Sequence, residues 1–473
     1  MLELDADNGV PLFQQIYSQI RADILSGAMP EGARLPSIRA MARQMRLGKN
    51  TVESAYAQLA LEGYVSARPG SGYTVNAIYG IIPPSDLSPA KNFLATPRAD
   101  EQQRDEIYKY DFSYENSDGS TFPAAIWRKL TAEVLSDNAQ SDYAAEMHRY
   151  GAAGGYMPLR RQMAAYLYQS RGVRCSPEQV ILCSGLQPSI MAILRLLQAE
   201  CRLVALEDPG YAGARAVYEC FGMPVVPVPV DASGMDIAVL AGSSARLAHI
   251  APSHQFPTGI VTSISRRIEL LQWAGDNDAF IIEDDYDSEL RYDGRPIPSM
   301  QSIDHGGHVI YLGTFSKVLS PGMRMSYMVL PPHLHDRFNS VFAGFQCTVP
   351  WLEQAVLHRF MADGHWEKHL RKLCLFKKKK HDVFVNTVNR LWSDKVRTHG
   401  HNAGLHILLE LVDGPDENEL MARAKAVGIK VYPASRLWAD KTRCSKNCLF
   451  LDYGMLSESD IISALNALKT AWS

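Results

Sequence analysis

The 473-residue sequence lacks the features of a membrane or secreted protein. Its longest apolar stretches, such as residues 180–194, fall short of the roughly 18 apolar residues that a membrane-spanning helix needs. The N-terminal segment is acidic and has no basic region followed by an apolar one, which is the pattern of a secretion signal. These absences predict a cytoplasmic protein with no membrane partner.

Cysteines are few and poorly spaced for metal binding. The chain has eight, none of them in a CxxC pair, and the closest two are Cys444 and Cys448. A zinc site of the usual kind needs a second pair of ligands, which the neighbouring sequence does not supply. We therefore expect isolated thiols and no metal site.

A global excess of positive charge is also absent, because the formal net charge is −3. The local distribution is less even. Residues 32–52 contain no acidic side chain, and their basic side chains are Arg34, Arg39, Arg43, Arg46 and Lys49. Such a cluster suits a surface that contacts nucleic-acid phosphates, and it equally suits a solvated helix face.

Composition and periodicity divide the chain into four regions. Residues 10–76 show helical spacing of apolar side chains and end in a turn rich in glycine and proline. Residues 77–110 contain several prolines and a polar run, which is typical of an extended linker. Over 111–330 short β-branched runs alternate with helical patterns, which predicts an α/β domain whose mostly parallel sheet has helices on both faces. Long helices followed by strands predict a smaller α+β lobe over 331–473.

Three helical patterns and a β-turn-β segment make up the first region. The second helix has Ser37 as its predicted N-cap, and the third begins near Asn50 after a break at Leu47-Gly48. The second and third helices are short and are joined by a glycine-containing turn, which predicts a helix-turn-helix. The third helix of the region then presents its N-terminal end to a DNA major groove. Residues 64–75 then form a wing with Arg68 and Gly70 at its tip.

This region resembles the winged helix of GntR-type bacterial repressors. The resemblance rests on Leu35-Pro36-Ser37-Ile38-Arg39, Asn50-Thr51-Val52-Glu53-Ser54-Ala55-Tyr56, Leu61-Glu62-Gly63-Tyr64 and Gly70-Ser71-Gly72. It implies binding of double-stranded DNA through Arg34, Ser37, Arg39, Lys49, Asn50, Thr51, Arg68 and Gly70. Where that family usually has arginine before Asn-Thr-Val, this chain has Lys49, which keeps a cation for phosphate but loses bidentate recognition of guanine. A purely structural three-helix adaptor is the alternative.

The strongest chemical signal in the rest of the chain is a lysine after an apolar strand. Residues 309–312 are apolar, Gly313-Thr314-Phe315-Ser316-Lys317 follows them, and Arg324 comes shortly after. A lysine at a strand end beside hydroxyl groups suits a Schiff base with an aldehyde cofactor, and the arginine suits a phosphate clamp. We therefore predict covalent attachment at Lys317, with Thr314, Ser316 and Arg324 binding the same cofactor.

Further candidate cofactor-binding residues lie at the ends of other predicted strands. Asp284 ends a buried strand, where it can pair with a pyridinium nitrogen, and Tyr286 can donate to a ring phenolate. Ser184-Gly185-Leu186 lies between a strand and a helix, so its N–H groups and the helix dipole face a phosphate. Tyr211 offers a ring to stack on the cofactor. Each fragment alone has an ordinary structural explanation, and only their combination indicates a cofactor site.

Together these residues resemble those of fold type I pyridoxal-phosphate-dependent transferases, the aspartate aminotransferase group, over residues 111–473. Tyr150-Gly151-Ala152-Ala153-Gly154-Gly155 matches a motif whose tyrosine reaches the phosphate in the neighbouring subunit, which implies a homodimer. With the winged helix in front, and with Ala251-Pro252-Ser253-His254-Gln255-Phe256-Pro257-Thr258-Gly259, the chain resembles MocR/GabR-type transcriptional regulators. The resemblance implies pyridoxal 5'-phosphate as cofactor and an operator with two half-sites. It also implies a small-molecule amine or amino-acid effector that is sensed through imine exchange at Lys317.

Two departures from the aminotransferases bear on catalysis. Asn usually precedes Pro-Thr-Gly, where this chain has Phe256, and Phe450-Leu451-Asp452-Tyr453 replaces the setting of the arginine that clamps a substrate carboxylate. Without a bidentate clamp an α-amino acid is poorly oriented, so we expect weak transamination at most. Arg436 and Arg215 are the remaining candidates for that role. Two alternatives stay open: a working aminotransferase with an appended winged helix, and a regulator that senses pyridoxal phosphate itself.

A second cluster of positive charge occurs late in the chain. Lys377-Lys378-Lys379-Lys380 lies on a predicted long helix. A run of like charge on a helix is usually solvated, so we expect an exposed face there rather than a second DNA contact.

Lys49 allows a direct test of the predicted DNA contact. Replacing Lys49 by Ala should weaken binding to all DNA sequences and make the slope of log K against log salt shallower by about one unit, because one phosphate contact is lost. A salt titration of operator binding measures this slope, with Lys372→Ala as a matched control outside the winged helix. An unchanged slope would show that Lys49 contacts no phosphate.

Overall fold

The fold is described from a computed structural model. It covers residues 4–5, 9–68, 72–77, 108–114, 118–136, 146–290, 292, 298–400 and 404–473. Two compact units divide the chain, Met1–Glu106 and Ile107–Ser473. Gly70 and residues 78–107, the body of the predicted linker, lie outside the described residues, so both expectations stay predictions.

The first unit is a winged helix, as the sequence predicts. Its helices and strands are α1 (Leu12–Leu25), α2 (Ile38–Met45), α3 (Lys49–Leu61), β1 (Val65–Arg68) and β2 (Gly72–Val75). The strands pair antiparallel, with Val65 opposite Val75. The Ala40 N–H donates to Ser37 Oγ at 3.1 Å, which confirms Ser37 as the N-cap of α2. Helix α3 begins one residue before the predicted start at Asn50.

A small apolar core holds the winged helix together. Ile16 on α1 and Val52 and Leu59 on α3 are fully buried in it. Tyr56 on α3 is buried with them, and its hydroxyl donates to the Pro36 carbonyl at 3.1 Å. This hydrogen bond ties the start of α2 to α3, so the core sets the orientation of the helix-turn-helix pair.

An eight-stranded mixed sheet forms the body of the second unit. After β3 (Tyr110–Asp111), which belongs to a smaller lobe, its strands are β4 (Val180–Cys183), β5 (Val204–Asp208), β6 (Val225–Asp231), β7 (Gly234–Met235), β8 (Leu247–Ile250), β9 (Phe280–Asp285), β10 (Val309–Thr314) and β11 (Ser326–Val329). Their spatial order is β4-β11-β10-β9-β8-β5-β6-β7. Strands β10, β9, β8, β5 and β6 are parallel, whereas β11 is antiparallel to both neighbours and β7 to β6. The prediction of a mostly parallel sheet is confirmed.

Helices cover both faces of this sheet. They are α4 (Ala124–Ser136), α5 (Met157–Arg171), α6 (Leu186–Leu197), α7 (Ala212–Cys220), α8 (Ile237–Ala241), α9 (Ile264–Asp276), α10 (Pro332–Val341), α11 (Trp351–Ala362) and α12 (His365–Trp392). Successive strand residues face opposite ways, so Ile181 packs with α6, α7 and α10, while Leu182 packs with α4, α5 and α11. No helix in the described part of the chain is both long and apolar enough to cross a membrane.

A smaller lobe completes the second unit. Its C-terminal elements are β12 (Val396–His399), β13 (His406–Leu411), α13 (Glu417–Ala426), β14 (Ile429–Lys430), β15 (Tyr432–Pro433), β16 (Cys448–Asp452) and α14 (Glu458–Trp472). Strands β12, β13, β16 and β15 form an antiparallel sheet in that order, and β14 pairs in parallel with β3. Its apolar core, which includes Leu449 and Leu465, lies between this sheet and the helices.

The chain enters the second unit through this small lobe. Tyr110 on β3 lies opposite Ile429, and both Tyr110 and Phe112 are buried in the small lobe's core. The sequence placed residues up to 110 in the linker and those from 111 in the large domain. The structure corrects both assignments, because this short segment is paired with β14, which comes far later in the chain.

The predicted boundary at residue 330 is corrected as well. Helices α10, α11 and the first part of α12 pack on the large sheet, where Trp366 and Leu373 are buried. Helix α12 then continues into the small lobe, where Phe384 and Val388 join the other core. The local sequence gives no signal for the boundary between the large domain and the small lobe, because the single amphipathic helix α12 packs in the cores of both.

Phe384 joins α12 to the small lobe, and its removal tests that role. Its ring stacks on that of Tyr453 with centroids 4.3 Å apart, and both residues are fully buried. Replacing Phe384 by Ala should lower the free energy of unfolding by about 3–5 kcal/mol, because buried aromatic surface is lost and a cavity remains. Urea unfolding followed by circular dichroism measures the change, with the exposed Lys372→Ala on the same helix as control. Equal stability of the two variants would contradict this packing.

Candidate functional site

A cavity of about 540 Å³ opens at the carboxyl ends of the central strands. Ligands bind in this position in open α/β sheets, and the volume is ordinary for a small-molecule site. Eight of the predicted cofactor-binding residues line it: Leu186, Tyr211, Asp284, Tyr286, Thr314, Ser316, Lys317 and Arg324. The parallel sheet therefore brings residues from separate strand ends to one cavity.

Lys317 follows β10 and is half-buried in the cavity wall. Its Nζ lies 3.4 Å from the centroid of the Tyr114 ring. Burial lowers the pKa of Lys317, and the carboxylates of Asp452 and Asp287 oppose this effect. A lysine with a lowered pKa has a larger neutral fraction, and the neutral amine is the form that attacks an aldehyde.

Gly185 acts through its missing side chain rather than through its N–H group. Its backbone has a φ of +115°, and a Cβ there would lie 2.2 Å from the Nη2 atom of Arg324. The Gly185 N–H donates to Ser326 Oγ at 3.1 Å. This corrects the expectation that the N–H faces a phosphate, because Ser326 on β11 already accepts it. Ser184 and Gly185 lie beside the cavity, and the N-terminus of α6 reaches it at Leu186.

The donors around Arg324 suit a phosphate. The Arg324 side chain is exposed in the cavity wall, and its hydrogen bond to the Pro321 carbonyl is long, at 3.5 Å. The Ser316 N–H donates to Thr314 Oγ1 at 3.1 Å, which fixes the turn that carries both hydroxyl residues. A guanidinium, two hydroxyls and a helix N-terminus are groups from which a phosphate accepts hydrogen bonds. These residues therefore fit the phosphate of the predicted cofactor.

Asp284 is held by His249, a residue with no signal in the sequence motifs. His249 Nε2 lies 3.4 Å from Asp284 Oδ2, and Nδ1 of the same ring lies 3.0 Å from the Tyr218 hydroxyl. All three side chains are buried, on β9, β8 and α7 respectively. A buried carboxylate held in this way can pair with a protonated ring nitrogen.

The Tyr286 hydroxyl is also held by a histidine. Its oxygen lies 3.0 Å from His254 Nδ1, which is 2.8 Å from Asp287 Oδ2. Since a carboxylate only accepts, we assign the proton to Nδ1, which donates to both oxygens. The Tyr286 hydrogen is then available to an acceptor in the cavity, which agrees with its predicted role toward a ring oxygen.

Aromatic rings form a large part of the cavity wall. The ring centroids of Tyr114 and Tyr211 are 6.5 Å apart, and Phe256 lies 5.0 Å from the former and 5.8 Å from the latter. Phe450 completes the cluster at 5.5 Å from Phe256. Tyr114 carries no sequence signal, because it follows the linker and belongs to no motif. The four rings offer flat apolar contact and no bidentate donor for a carboxylate.

Two further arginines line the cavity and could meet a carboxylate. Arg215 Nη2 lies 3.7 Å from Asp208 Oδ1, so its charge is already paired. The exposed Arg436 guanidinium lies 4.6 Å from the Tyr432 ring centroid and 6.0 Å from that of Phe450. Arg436 is the more exposed of the two.

Glu207 is a buried carboxyl group in the same wall. Its Oε2 accepts the Ala251 N–H at 3.0 Å, while its Oε1 is buried without a hydrogen-bond partner in the described part of the structure. Burial raises the pKa of Glu207 to about 8, although hydrogen bonds from Ala251 and Gln255 lower it in part. The group is therefore largely protonated at neutral pH.

Tyr150 is not among the residues that line this cavity. The residue is 93 % exposed. An exposed side chain is what contact with a neighbouring subunit requires, and that contact stays a prediction.

The four-lysine run on α12 differs from the expected solvated face. Lys377 Nζ donates to the Lys317 carbonyl at 2.7 Å, and burial lowers the pKa of Lys377 to about 8. Lys380 is buried, and its Nζ lies 2.7 Å from Asp118 Oδ2. Helical periodicity turns these two lysines inward, where the Lys317 carbonyl accepts from Lys377 and the Asp118 carboxylate pairs with Lys380.

The cysteines are scattered through the second unit. All eight carry free thiols, and Cys444 and Cys448 are buried in the apolar cluster beside the cavity. Over the ranges that the structure describes, no group of three or more His, Cys, Asp or Glu side chains is placed to hold a metal ion.

Most of the predicted DNA-contacting residues lie at the N-terminal ends of two helices. They are Arg34, Ser37 and Arg39 around the start of α2, and Lys49, Asn50 and Thr51 in the first turn of α3. All are exposed except Thr51, which is half-buried. Exposed donors at the start of a recognition helix are in the position that the helix-turn-helix geometry requires.

The two remaining predicted DNA contacts, Arg68 and Gly70, belong to the predicted wing, and Lys49 has an acidic neighbour. Arg68 ends β1 next to the wing turn, and Gly70 lies outside the described residues. Lys49 Nζ lies 3.8 Å from Glu53 on the exposed face of α3. An exposed pair of this kind contributes little to stability, so Lys49 is able to exchange it for a phosphate.

Comparisons with known proteins agree with both units. Residues 12–75 match the family Bacterial regulatory proteins, gntR family, and residues 113–416 match Aminotransferase class I and II. The chain is 38% identical to the HTH-type transcriptional regulator YdeL of Bacillus subtilis, over 98% of this chain and 97% of the relative. It is 32% identical to the probable rhizopine catabolism regulatory protein MocR of Rhizobium meliloti, over 100% of this chain and 96% of the relative. The crystal structure of Pyrococcus horikoshii kynurenine aminotransferase, in complex with PMP, matches with a TM-score of 0.69 and 25% identity, over 82% of this chain and 97% of that chain.

A winged helix joined to an aminotransferase-like domain defines a class of DNA-binding transcriptional regulators. The chain belongs to the MocR-type regulators, with a gntR-family DNA-binding domain and an aminotransferase class I and II domain. Aminotransferases of this fold depend on pyridoxal phosphate.

Glu207 gives the site a pH dependence that can be measured. Because the pKa of Glu207 in the folded state is about 8, above its usual value of 4.5, the carboxyl stabilises the fold at low pH and loses that contribution as the pH rises from about 4.5 to 8. Relative to Glu207→Gln, the wild type should lose up to about 4 kcal/mol over this range, at ~1.4 kcal/mol per pKa unit. Thermal unfolding of both proteins at several pH values measures the difference. A constant difference from pH 5 to 8 would contradict the raised pKa.

Proposed function

We propose that this regulator binds pyridoxal 5'-phosphate through Lys317 and senses a small amine or amino acid through imine exchange at that lysine. The observation that carries the proposal is the convergence of Lys317, Asp284 and Arg324 on one cavity. They supply a nucleophilic amine, a carboxylate for a ring nitrogen and a cation for a phosphate. The winged helix supplies the output, which is binding to operator DNA.

Each polar part of the cofactor has a matching group in the cavity. Arg324, the hydroxyls of Thr314 and Ser316, and the N-terminus of α6 would bind the phosphate. Asp284, which His249 contacts, would pair with the ring nitrogen, and Tyr286 would donate to the ring oxygen. The bound cofactor supplies an aldehyde carbon that condenses reversibly with a primary amine.

Exchange at that carbon changes the chemistry of Lys317. In such an exchange the effector nitrogen would take the place of Lys317 Nζ in the C=N bond, and the two hydrogens of the incoming amine would end on Lys317. An ionisable amine is thereby released inside the site. An effector changes DNA binding only if it binds two arrangements of the protein with different affinity, and this release supplies the difference.

The geometry favours a sensor over an efficient aminotransferase. The buried rings of Phe256 and Phe450 occupy sequence positions where aminotransferases carry asparagine and arginine, and neither ring donates a hydrogen bond to a substrate. A substrate carboxylate meets Arg436 at the exposed side of the cavity instead. Steady-state turnover with an amino donor and a keto acid separates the two functions, and aminotransferase-like rates would favour the enzyme.

We further infer a homodimer and an operator with two half-sites. The exposed Tyr150 supports this inference, since in the resembled family its counterpart reaches the phosphate of the neighbouring subunit. Dimerisation pairs two winged helices, so each contacts one half-site. A footprint that covers a single half-site at full affinity would contradict it.

The cofactor prediction concerns Lys317 directly. Protein reconstituted with pyridoxal phosphate should absorb visible light, and borohydride should trap the cofactor on the peptide that contains Lys317. Lys317→Ala should lose both signals, because no imine forms there, while the exposed Lys372→Ala keeps them. Mass spectrometry of the reduced protein locates the adduct. An adduct that persists in Lys317→Ala would place the attachment elsewhere.

The same variant separates covalent sensing from other forms of sensing. Lys317→Ala should bind operator DNA as the wild type does but lose the response to a panel of primary amines. An operator titration with and without each amine measures the response factor. A wild-type factor in the variant would show that non-covalent binding suffices. A response to pyridoxal phosphate alone would favour a sensor of the cofactor.

A further inference from the structure

A second, smaller cavity of about 50 Å³ also borders Lys317. Its wall includes Tyr114, Asp452, Lys377 and His406. This volume holds a few water molecules or the end of one charged side chain, and it is too small for an effector. Its charged lining therefore has a role other than ligand binding.

Tyr114 offers the Lys317 amine the face of its ring. The 3.4 Å distance from Nζ to the ring centroid is well within the range of a cation–π contact. Burial holds the pKa of Tyr114 well above its usual value, so the side chain is a neutral ring and not a phenolate. The contact stabilises an ammonium on Lys317 and does little for a neutral nitrogen.

Asp452 supplies the balancing negative charge. It ends β16, is buried, and its Oδ1 accepts the Gly454 N–H at 2.8 Å. Burial raises the pKa of Asp452 to about 6, although the charge of Lys317 lowers it in part. The carboxylate is therefore largely ionised at pH 8.

The other charged groups around this cavity have partners of their own. Asp287 lies 2.8 Å from His254, and Asp118 lies 2.7 Å from Lys380. Lys377 donates to the Lys317 carbonyl, and burial keeps the pKa of His406 well below its usual value, so that ring is neutral. Of the two carboxylates whose charge acts on Lys317, Asp452 has the larger effect, and Asp287 is already hydrogen-bonded to His254.

We propose that the Tyr114 ring and the Asp452 carboxylate form a receiving site for the Lys317 ammonium, through which the small lobe responds to the release of Lys317. The inference rests on the proposed imine exchange, in which the effector nitrogen takes over the C=N bond and Lys317 leaves as the amine. One further proton from solvent makes that amine an ammonium. The receiving site favours this product and so favours effector binding.

The backbone links both halves of the receiving site to the small lobe. The Asp452 N–H donates to the Phe112 carbonyl at 3.1 Å, and the Phe112 N–H donates to the Lys430 carbonyl at 3.1 Å. Tyr114 lies two residues beyond Phe112, in the segment through which the chain enters the second unit. A tighter contact of Lys317 with Tyr114 and Asp452 therefore acts on the first described segment of the second unit.

The test uses the full-length protein loaded with pyridoxal phosphate and n-butylamine as the probe amine. The exchange constant at pH 8 is read from the visible spectrum for the wild type, Tyr114→Leu, Tyr114→Phe and Asp452→Asn. Tyr114→Leu should lower the constant by about 3- to 30-fold, the strength of a desolvated cation–π contact. Tyr114→Phe should restore it to within about twofold of the wild type because the ring remains, and Asp452→Asn should lower it.

Two further measurements keep the test decisive. Cofactor content and thermal unfolding identify any variant that fails to fold, and Asp452→Asn, which keeps an acceptor for Gly454, carries the test if Tyr114→Leu fails. Amide hydrogen exchange in residues 108–114 and 448–454 should slow in the wild type when n-butylamine is added, and should not slow in Tyr114→Leu.

The outcomes separate this inference from the proposed function. If the visible spectrum of the wild type does not respond to n-butylamine, both the proposed imine exchange and the receiving site are contradicted. If the wild type responds and both Tyr114→Leu and Asp452→Asn match its constant, only the receiving site is overturned. An equal loss in Tyr114→Phe and Tyr114→Leu would assign the effect to the hydroxyl and would overturn the cation–π contact.

Discussion

The parallel, in-register pairing of the central strands is the constraint on which the second unit depends. Leu312 on β10 lies opposite Asp284 on β9, and Ile250 on β8 lies opposite Glu283. Parallel strands have their carboxyl ends at the same edge, so the residues that follow them meet there. A slip of β10 by one residue would turn its side chains to the other face and carry Lys317 away from Asp284.

Burial then determines what these side chains can do. Most buried charges have partners close by, such as Arg171 and Asp285 at 2.7 Å beneath the sheet, because an unpaired buried charge is strongly destabilising. Glu207 departs from this pattern, since one of its oxygens has no partner in the described part of the chain. It avoids the penalty by remaining protonated. The pair of Arg171 and Asp285 thus stabilises the large domain, while Glu207, with one oxygen unpartnered in the described residues, lies in the cavity wall.

The first described segment of the second unit belongs to the small lobe. The segment that follows the DNA-binding unit pairs with β14 and places Phe112 in the small lobe's core. A ligand that changes the contact between Lys317 in the large domain and Tyr114 in this segment therefore acts near the point where the chain enters. The DNA-binding domain and the aminotransferase class I and II domain belong to separate units of the chain.

The sequence alone determined the class of protein and predicted residues that the structure brings to one cavity. Strand ends, glycine turns and helix caps are local signals, so Lys317, Asp284, Arg324 and the winged helix were predictable, and the alternation of strands and helices predicted the sheet. Only the tertiary structure revealed Tyr114. It also decided the partner of Asp284, the protonation of Glu207, the inward turn of two lysines on α12 and the true extent of each lobe. These features depend on burial and on contacts between distant segments, and neither can be predicted from a local pattern of residues.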